Sequence, residues 1–218
     1  MVLVAEAARF GFNLMCMIVS QDQRVWAIGI YSADSPVSLS PHQAAENPVL
    51  TRSDVTDIEA EFVADPFMVE KDGTWFMFFE ALNKVTSRGE VGLAVSSDTL
   101  RWEYRKIVLK ESFHLSYPYV FRDRDAYYMI PETLGLKYVA LYKARAFPFH
   151  WEFAGRLLEG THADPSIFRS GQRWWMFTCP APYSYDILNL YFADDLTGLW
   201  YEHPRSPIVS GDAAASLP

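Results

Sequence analysis

The chain has 218 residues, half of them hydrophobic, and a formal net charge of -8 at pH 7. This length and apolar content predict a globular protein with a sizeable core and argue against a disordered or fibrous chain. The acidic balance argues against a nucleic-acid partner, because phosphate binding requires a basic surface, and it equally disfavours binding to anionic membranes.

The N-terminal stretch is apolar but carries charges, among them Glu6 and Arg9, and shows no clear signal peptide. We therefore expect a cytoplasmic protein, and because no apolar run approaches about 20 residues we expect no membrane span. The two cysteines, Cys16 and Cys179, lie in no metal or redox spacing and are predicted to be buried thiols. We expect neither a metal nor a cofactor.

A tandem repeat is marked by Pro66, Pro118 and Pro165, which lie about 50 residues apart, a period typical of propeller blades and long solenoid units. After each proline come a short apolar strand, a polar turn and an aromatic strand, which is the pattern of a β-hairpin. A third strand follows in each unit at 91–95, 138–142 and 188–193, and a fourth opens at Trp102, Trp151 and Trp200. Four short strands per unit predict an all-β protein, a β-propeller of four-stranded antiparallel blades.

The two ends of the chain complete this prediction. Residues 26–34 resemble a third strand and residues 47–50 the end of a fourth, so the N-terminus supplies the outer half of a blade. After residue 209 no further hairpin follows. We therefore expect an N-terminal extension at 1–21, a propeller domain at 22–209 and a tail at 210–218. Three full blades and a half blade predict either a truncated chain or a ring completed by a neighbouring chain or domain.

Candidate site residues come from equivalent positions of the repeat. Asp65, Tyr117 and Asp164 each precede a repeat proline. The first strand of a propeller blade lines the central channel, so these side chains are predicted to point toward a shared axial pocket. The residue before proline is also expected to be extended. Glu80 and Glu132 end the second strands of their units and are expected near the same region.

Converging carboxyl groups would suit glycoside chemistry, which needs one protonated acid and one ionised base or nucleophile. A purely structural role is equally open for Asp65 and Asp164, since an Asp-Pro pair also marks the start of a strand and can cap a turn. His114 and His162 lie shortly before their prolines and are candidates for binding the same ligand.

Four strings resemble a known family: ADPFM at 64–68, HLSYPYVF at 114–121, IPE at 130–132 and ADPSIF at 163–168. They resemble the five-bladed propeller domain related to glycoside hydrolase family 43. More closely, they are similar to the N-terminal domain of plant glucosamine inositolphosphorylceramide transferases and their bacterial relatives. The resemblance extends over residues 22–209 and implies five blades.

For family 43 hydrolases the resemblance implies a base Asp, a second Asp that orients the sugar, and a general-acid Glu. Asp65 and Asp164 match the two aspartates. The acid of those hydrolases follows the second Asp, where the matching strand end here is Cys179, whereas Glu132 precedes it. The candidate residues are, for catalysis, Asp65, Asp164 and Glu132, and, for substrate binding, Glu80, His114, Tyr117 and His162.

Three functions agree with these features. The first is a carbohydrate-active propeller of the glycosidase type that binds, and hydrolyses or transfers, a carbohydrate or glycoconjugate. The second is a non-catalytic glycan-binding or scaffold module of a glycosyltransferase system. The third is a protein-binding propeller, because a fold does not determine a function.

Overall fold

The computed structural model describes residues 12–19, 26–33, 38–180 and 186–212, and for 12–19 and 134 the backbone alone. Within these ranges the chain forms sixteen β-strands, no α-helix and two 3-10 turns, at Arg52–Asp54 and Leu134–Leu136. The described part of the chain thus contains no helix long and apolar enough to cross a membrane.

The chain divides into two compact units, Met1–Glu111 and Ser112–Pro218. The first unit holds two antiparallel sheets. One sheet contains β1 (Phe12–Val19), β2 (Trp26–Ala33) and β3 (Ser40–Pro41), with β2 in the middle. The other runs in sequence order through β4 (Ala60–Lys71), β5 (Thr74–Asn83), β6 (Arg88–Ser96) and β7 (Glu103–Leu109).

The second unit also holds two antiparallel sheets. One contains, in order, β8 (Ser116–Asp123), β9 (Ala126–Glu132), β10 (Tyr138–Ala146) and β11 (His150–Glu159). The other contains β12 (Ala163–Ser170), β13 (Arg173–Cys179) and β14 (Ile187–Ala193), and two short strands that both pair with β14, β15 (Tyr201–Glu202) and β16 (Val209–Ser210).

This architecture confirms the prediction of an all-β protein built from four-stranded antiparallel sheets. Each repeat proline lies on a strand at the edge of its own sheet, β4, β8 or β12. The count of five blades stays a prediction, as do the domain limits at 22 and 209.

The N-terminal sheet contains one strand more than the sequence suggested. β2 is the predicted third strand of a half blade, and Ile28 forms a bridge with Leu50 on its outer side. On its other side, however, β2 pairs with β1, which lies within the predicted extension at 1–21. The pairing partner satisfies backbone groups that the edge of a half blade would leave open.

The hairpins form as their turn chemistry predicts. Asp72 and Gly73 connect β4 to β5 and both have positive φ, +52° and +78°, which is the requirement of a two-residue type I′ turn. Arg124 at φ +54° and Gly171 at φ +62° occupy the first position of the corresponding turns in the second unit.

Each unit has its own apolar core, built from alternate residues of its strands. In the second unit, Ile130 and Leu141 of the first sheet pack in one cluster with Ile167, Met176 and Tyr191 of the second. Cys179 is buried, as predicted, whereas the side chain of Cys16 lies outside the described residues.

The opposite face of the last sheet is aromatic and less covered. Phe168, Trp175, Phe192 and Tyr201 are direct neighbours across β12, β13, β14 and β15. Phe168 is 43% exposed and Tyr201 is 54% exposed. The repeat equivalent of Phe168 in the preceding sheet, Phe121, instead packs against the core.

Candidate functional site

The residue before each repeat proline has an unusual backbone. Asp65, Tyr117 and Asp164 have φ angles of +48°, +44° and +49°. The prediction that these residues are extended is therefore wrong. Positive φ is uncommon outside glycine, although aspartate tolerates it better than most residues do.

The strand register gives the physical reason. In β4 and β5, Ala64 pairs with Glu80 and Phe67 pairs with Phe78, so that two residues, Asp65 and Pro66, oppose one. The same shift occurs at Tyr117 in β8 and at Asp164 in β12. A β-bulge of this kind bends the strand and changes the direction of a side chain, and it overrides the local preference imposed by proline.

The strand pairing also brings a fixed set of residues opposite one another. The residue two positions before each proline faces the predicted end of the second strand. The facing pairs are Ala64–Glu80, Ser116–Glu132 and Ala163–Cys179. Glu80 is buried and Glu132 is half-buried.

In the second unit the carboxylate of Glu132 joins two sheets. Ser116 Oγ donates a hydrogen bond to Glu132 Oε1 at 2.9 Å. The backbone N–H of Asp164 donates to Glu132 Oε2 at 3.0 Å. Two residues that the sequence predicted as catalytic are thus in direct contact, through the backbone of one and the side chain of the other.

Two tyrosines add further hydrogen bonds between the same sheets. The Tyr117 hydroxyl lies 2.8 Å from Ser166 Oγ. The Tyr119 hydroxyl donates to the backbone oxygen of Ile167 at 2.6 Å. Tyr117, which the sequence suggested for substrate binding, is only 2% exposed.

His162 lies outside this group of contacts. It is buried, its Nε2 lies 3.1 Å from the Glu159 backbone oxygen, and its ring meets the Tyr191 ring edge to face. Burial lowers the pKa of His162, although the Glu159 hydrogen bond and the charge of Glu202 act in the opposite direction. The other ring nitrogen, Nδ1, is buried without a partner among the described residues.

The remaining candidate, His114, is exposed in the segment before β8. Asp65 and Glu80 lie in the first unit, on neighbouring strands. No group of three or more potential metal-binding side chains occurs within residues 26–33, 38–180 and 186–212.

Sequence reasoning missed the polar partners that hold Glu132 and Tyr117 in place. Both serines stand out within the repeat: Ser116 occupies a position that is alanine in the other two repeats, and Ser166 one that is aromatic, Phe67 or Tyr119. Their partners were not predictable, since the contact of Ser166 with Tyr117 joins residues 49 positions apart.

Comparison with known protein families shows which family the chain belongs to. Residues 18–217 match the family described as glucosamine inositolphosphorylceramide transferase 1, N-terminal. The chain belongs to this family. The match confirms the resemblance drawn from the sequence strings.

Curated members of the glucosamine inositolphosphorylceramide transferase family are similar over most of the chain. Glucosamine inositolphosphorylceramide transferase 1 of Oryza sativa subsp. japonica is 34% identical over 206 residues, which cover 86% of the chain. The protein of the same name from Arabidopsis thaliana is 30% identical over 205 residues. The chain spans only 28% and 27% of the lengths of these two relatives.

Solved structures identify the fold of this chain. An exo-β-1,3-galactanase from Phanerochaete chrysosporium, crystallised with β-1,3-galactotriose, matches with a TM-score of 0.76 at 14% identity, over 92% of this chain and 49% of that protein. A thermostable family-43 glycoside hydrolase matches with a TM-score of 0.73 at 13% identity, over 95% and 73%. The chain therefore has the β-propeller fold of family 43 glycoside hydrolases, and fold and family together support a carbohydrate-related role.

Proposed function

We propose that this member of the glucosamine inositolphosphorylceramide transferase 1, N-terminal, family binds a carbohydrate or glycoconjugate through Asp164. Asp65, the equivalent residue of the first unit, is proposed to have the same role. In this proposal the domain recognises a glycan within a glycosyltransferase system and need not break a glycosidic bond itself.

The observation that carries this proposal is the bulged, left-handed backbone at the residue before the proline. A non-glycine residue in a sparsely populated backbone conformation costs about 1–3 kcal/mol and is typical of functional sites. All three residues that precede a repeat proline have this conformation, and two of them are aspartates, Asp65 and Asp164. Bulges next to binding sites redirect side chains, and an aspartate carboxylate accepts hydrogen bonds from sugar hydroxyls.

The names of the relatives sharpen the choice of ligand. Their transferase name includes glucosamine, whose amino group is a cation at neutral pH. A carboxylate binds such a cation through a charge-assisted hydrogen bond, which is stronger than a bond between neutral groups. We therefore expect an amino sugar to bind more tightly than the corresponding neutral sugar.

A second candidate function is hydrolysis or transfer of a glycoside, which the family-43 fold favours. Glycoside cleavage requires a carboxyl group that carries a proton as well as one that is ionised. Glu132 accepts hydrogen bonds at both of its oxygens, from Ser116 and from the Asp164 backbone. Both oxygens of Glu132 are thus engaged by groups of the protein, so we place binding ahead of catalysis.

Calorimetric titration of the purified chain with glucosamine, glucose and N-acetylglucosamine tests the proposal. We expect glucosamine to bind best. Asp164→Asn is expected to weaken binding by about 1.5–3 kcal/mol, or roughly 10- to 150-fold, because one charge-assisted hydrogen bond is lost. Asp194→Asn is the matched control, since Asp194 is exposed and paired with Arg173 on the surface.

A parallel assay with a panel of aryl glycosides separates binding from catalysis. Turnover that falls by roughly two or more orders of magnitude in Asp164→Asn would establish the second candidate. Binding without turnover would establish the first. Neither binding nor turnover with any sugar of the panels would refute both.

Further expectations from the sequence stay predictions. They are a cytoplasmic location, independence of metals and cofactors, and a neighbouring chain or domain that completes the propeller. Substrate-binding roles for Glu80, His114, Tyr117 and His162 also remain predictions, although the buried Tyr117 and His162 side chains already have protein contacts.

A further inference from the structure

Glu132 is fixed at both ends of its carboxylate by groups from two different sheets of the second unit. Ser116, its direct neighbour across β8 and β9, donates to Oε1. Asp164, on β12, donates its backbone N–H to Oε2. A carboxylate with two fixed donors has little rotational freedom, so its position is determined by the fold.

The N–H that Glu132 accepts belongs to the bulged residue itself. Between Ala163 and Ser166 the pairing of β12 with β13 shifts by one residue, and Asp164 lies in this interruption with φ +49°. A bulge leaves its extra residue outside the ladder, and a backbone N–H away from water needs an acceptor. Glu132 supplies that acceptor and thereby fixes the Asp164 peptide from which the side chain projects.

The other two repeats lack this combination of side chains. Where β8 and β9 place Ser116 opposite Glu132, β12 and β13 place Ala163 opposite Cys179. In the first unit Glu80 faces Ala64, which has no hydroxyl group to donate. Among the described residues, the pairing of a serine with a strand-end glutamate therefore occurs once, next to one of the two bulged aspartates.

The two sheets do not depend on Glu132 to stay together. Tyr117 and Ser166 connect β8 to β12 by side chains, and Tyr119 bonds to the backbone of Ile167. Apolar packing between the same sheets adds to these bonds. Loss of the Glu132 carboxylate should therefore release the Asp164 peptide while leaving the sheets in contact.

We propose that Glu132 is a positioning residue, which holds the backbone of Asp164 in its left-handed bulge so that the Asp164 carboxylate faces the sugar. This inference rests on the proposed sugar-binding function of Asp164. It assigns Glu132 the task of a hydrogen-bond acceptor, whereas the sequence had suggested a general acid. The two roles differ in whether the carboxylate must gain and lose a proton.

Glutamine distinguishes these roles. In Glu132→Gln the amide oxygen accepts from the Asp164 N–H, and the amide nitrogen donates to Ser116 Oγ, which as a hydroxyl also accepts. The variant keeps the bridge but cannot act as an acid. Glu132→Ala removes the bridge. Glu132→Met also removes it but keeps a long side chain, and it serves where the alanine variant does not fold.

We expect the glucosamine affinity of Glu132→Gln to remain within about threefold of the wild type. Glu132→Ala and Glu132→Met are expected to lose roughly tenfold or more, the scale of one charge-assisted hydrogen bond. Glu152→Gln is the matched control, because Glu152 lies on β11 in an exposed ion pair with Arg145 and should change nothing.

A second readout does not depend on sugar binding. Amide hydrogen exchange at Asp164, measured by NMR, reports directly on the N–H that Glu132 accepts. Protection should be similar in the wild type and Glu132→Gln, and should fall by about tenfold or more in Glu132→Ala and Glu132→Met. We expect Ser116→Ala to give an intermediate loss, since it removes one of the two donors that fix the carboxylate.

Two results would overturn the inference. One is unchanged Asp164 exchange when the carboxylate is removed, which would show that Glu132 does not hold this peptide. The other is a Glu132→Gln variant with wild-type exchange but no sugar binding or turnover, which would show that the ionisable group itself is required. A wild-type protein that binds no sugar would refute the proposed function, and the exchange comparison would still test the contact.

Discussion

The two repeat hairpins of the second unit, β8–β9 and β12–β13, share a backbone and differ in their side chains. Both carry the bulge and the positive φ before the proline, at Tyr117 and Asp164. The first hairpin places a buried tyrosine at the bulge, whereas the second places a half-buried aspartate there. The repeat therefore supplies one backbone geometry, and the residue at the bulge differs: a buried Tyr117 that bonds to the neighbouring sheet in one copy, and the half-buried Asp164, for which we propose ligand binding, in the other.

The hairpins also differ in what covers them. Phe121, three residues after its proline, packs on Trp174 of the neighbouring sheet with ring centroids 5.7 Å apart. The equivalent Phe168 contacts Phe177 of its own sheet and is 43% exposed. Within the part of the chain that the structure describes, the aromatic face of the last sheet is less covered than the equivalent face of the preceding sheet, and a chain or domain that completes the propeller at this face stays a prediction.

The largest expected effect tests whether Phe121 and Phe168, which lie on equivalent faces of the two sheets, are covered to different extents. Phe121→Ala should lower the free energy of unfolding by about 2–4 kcal/mol, because a packed phenylalanine is replaced by a cavity. Phe168→Ala should cost about 1 kcal/mol or less, since much of its ring already contacts solvent. Urea unfolding of both variants measures the difference. Equal losses would mean that the aromatic face is covered in solution.

The next effect concerns the strained backbone that the hairpins share. Asp164→Val should destabilise the protein by about 1–2 kcal/mol more than Asp164→Asn, because a β-branched residue tolerates φ +49° far less well than asparagine does. Thermal unfolding of the pair measures this difference. Identical melting temperatures would show that Asp164 does not adopt the left-handed conformation in solution.

A smaller effect is expected from the hydrogen bonds that join the hairpins. Tyr119→Phe removes the donor to the Ile167 backbone oxygen and should cost about 1 kcal/mol. Tyr128→Phe is the control, since the described residues offer its hydroxyl no hydrogen bond. If both substitutions cost the same in urea unfolding, the bond between the hairpins does not stabilise the unit.

The smallest expected effect is on the pH dependence of stability, to which His162 and His114, the histidines that precede the two hairpins, should contribute differently. Burial lowers the pKa of His162 in the folded chain below the ordinary value of 6.5. At pH values between the lowered pKa of folded His162 and 6.5, His162 binds a proton in the unfolded chain but not in the folded chain. The free energy of unfolding therefore decreases as the pH falls below 6.5.

His162→Phe should reduce this pH dependence, because phenylalanine keeps the ring contact with Tyr191 and does not titrate. His114→Phe is the comparison variant, since His114 is exposed. Unfolding free energies measured from pH 7.5 to pH 5 test the prediction. A slope that His162→Phe leaves unchanged would show that other groups determine the acid sensitivity.

Much of the fold could be predicted because its signals are local. Alternating apolar residues, the Asp72-Gly73 turn and the aromatic second strands each appear within a few residues of sequence. β1 was missed because a continuous apolar run such as 14–19 does not by itself identify a strand, and the partner β2 is needed to do so. Equivalence within the repeat also selected Asp65 and Asp164 as a matching pair.

The sequence by itself thus determined the strands of the three repeats, their turns, the repeat itself and the family. Only the tertiary structure decided how the candidate residues are used. The bulges at Asp65, Tyr117 and Asp164 arise from strand register, which overrides the extended preference before proline. The bond between Glu132 and the Asp164 backbone joins residues 32 positions apart. Such contacts depend on which strands become neighbours, and no local pattern of residues encodes that.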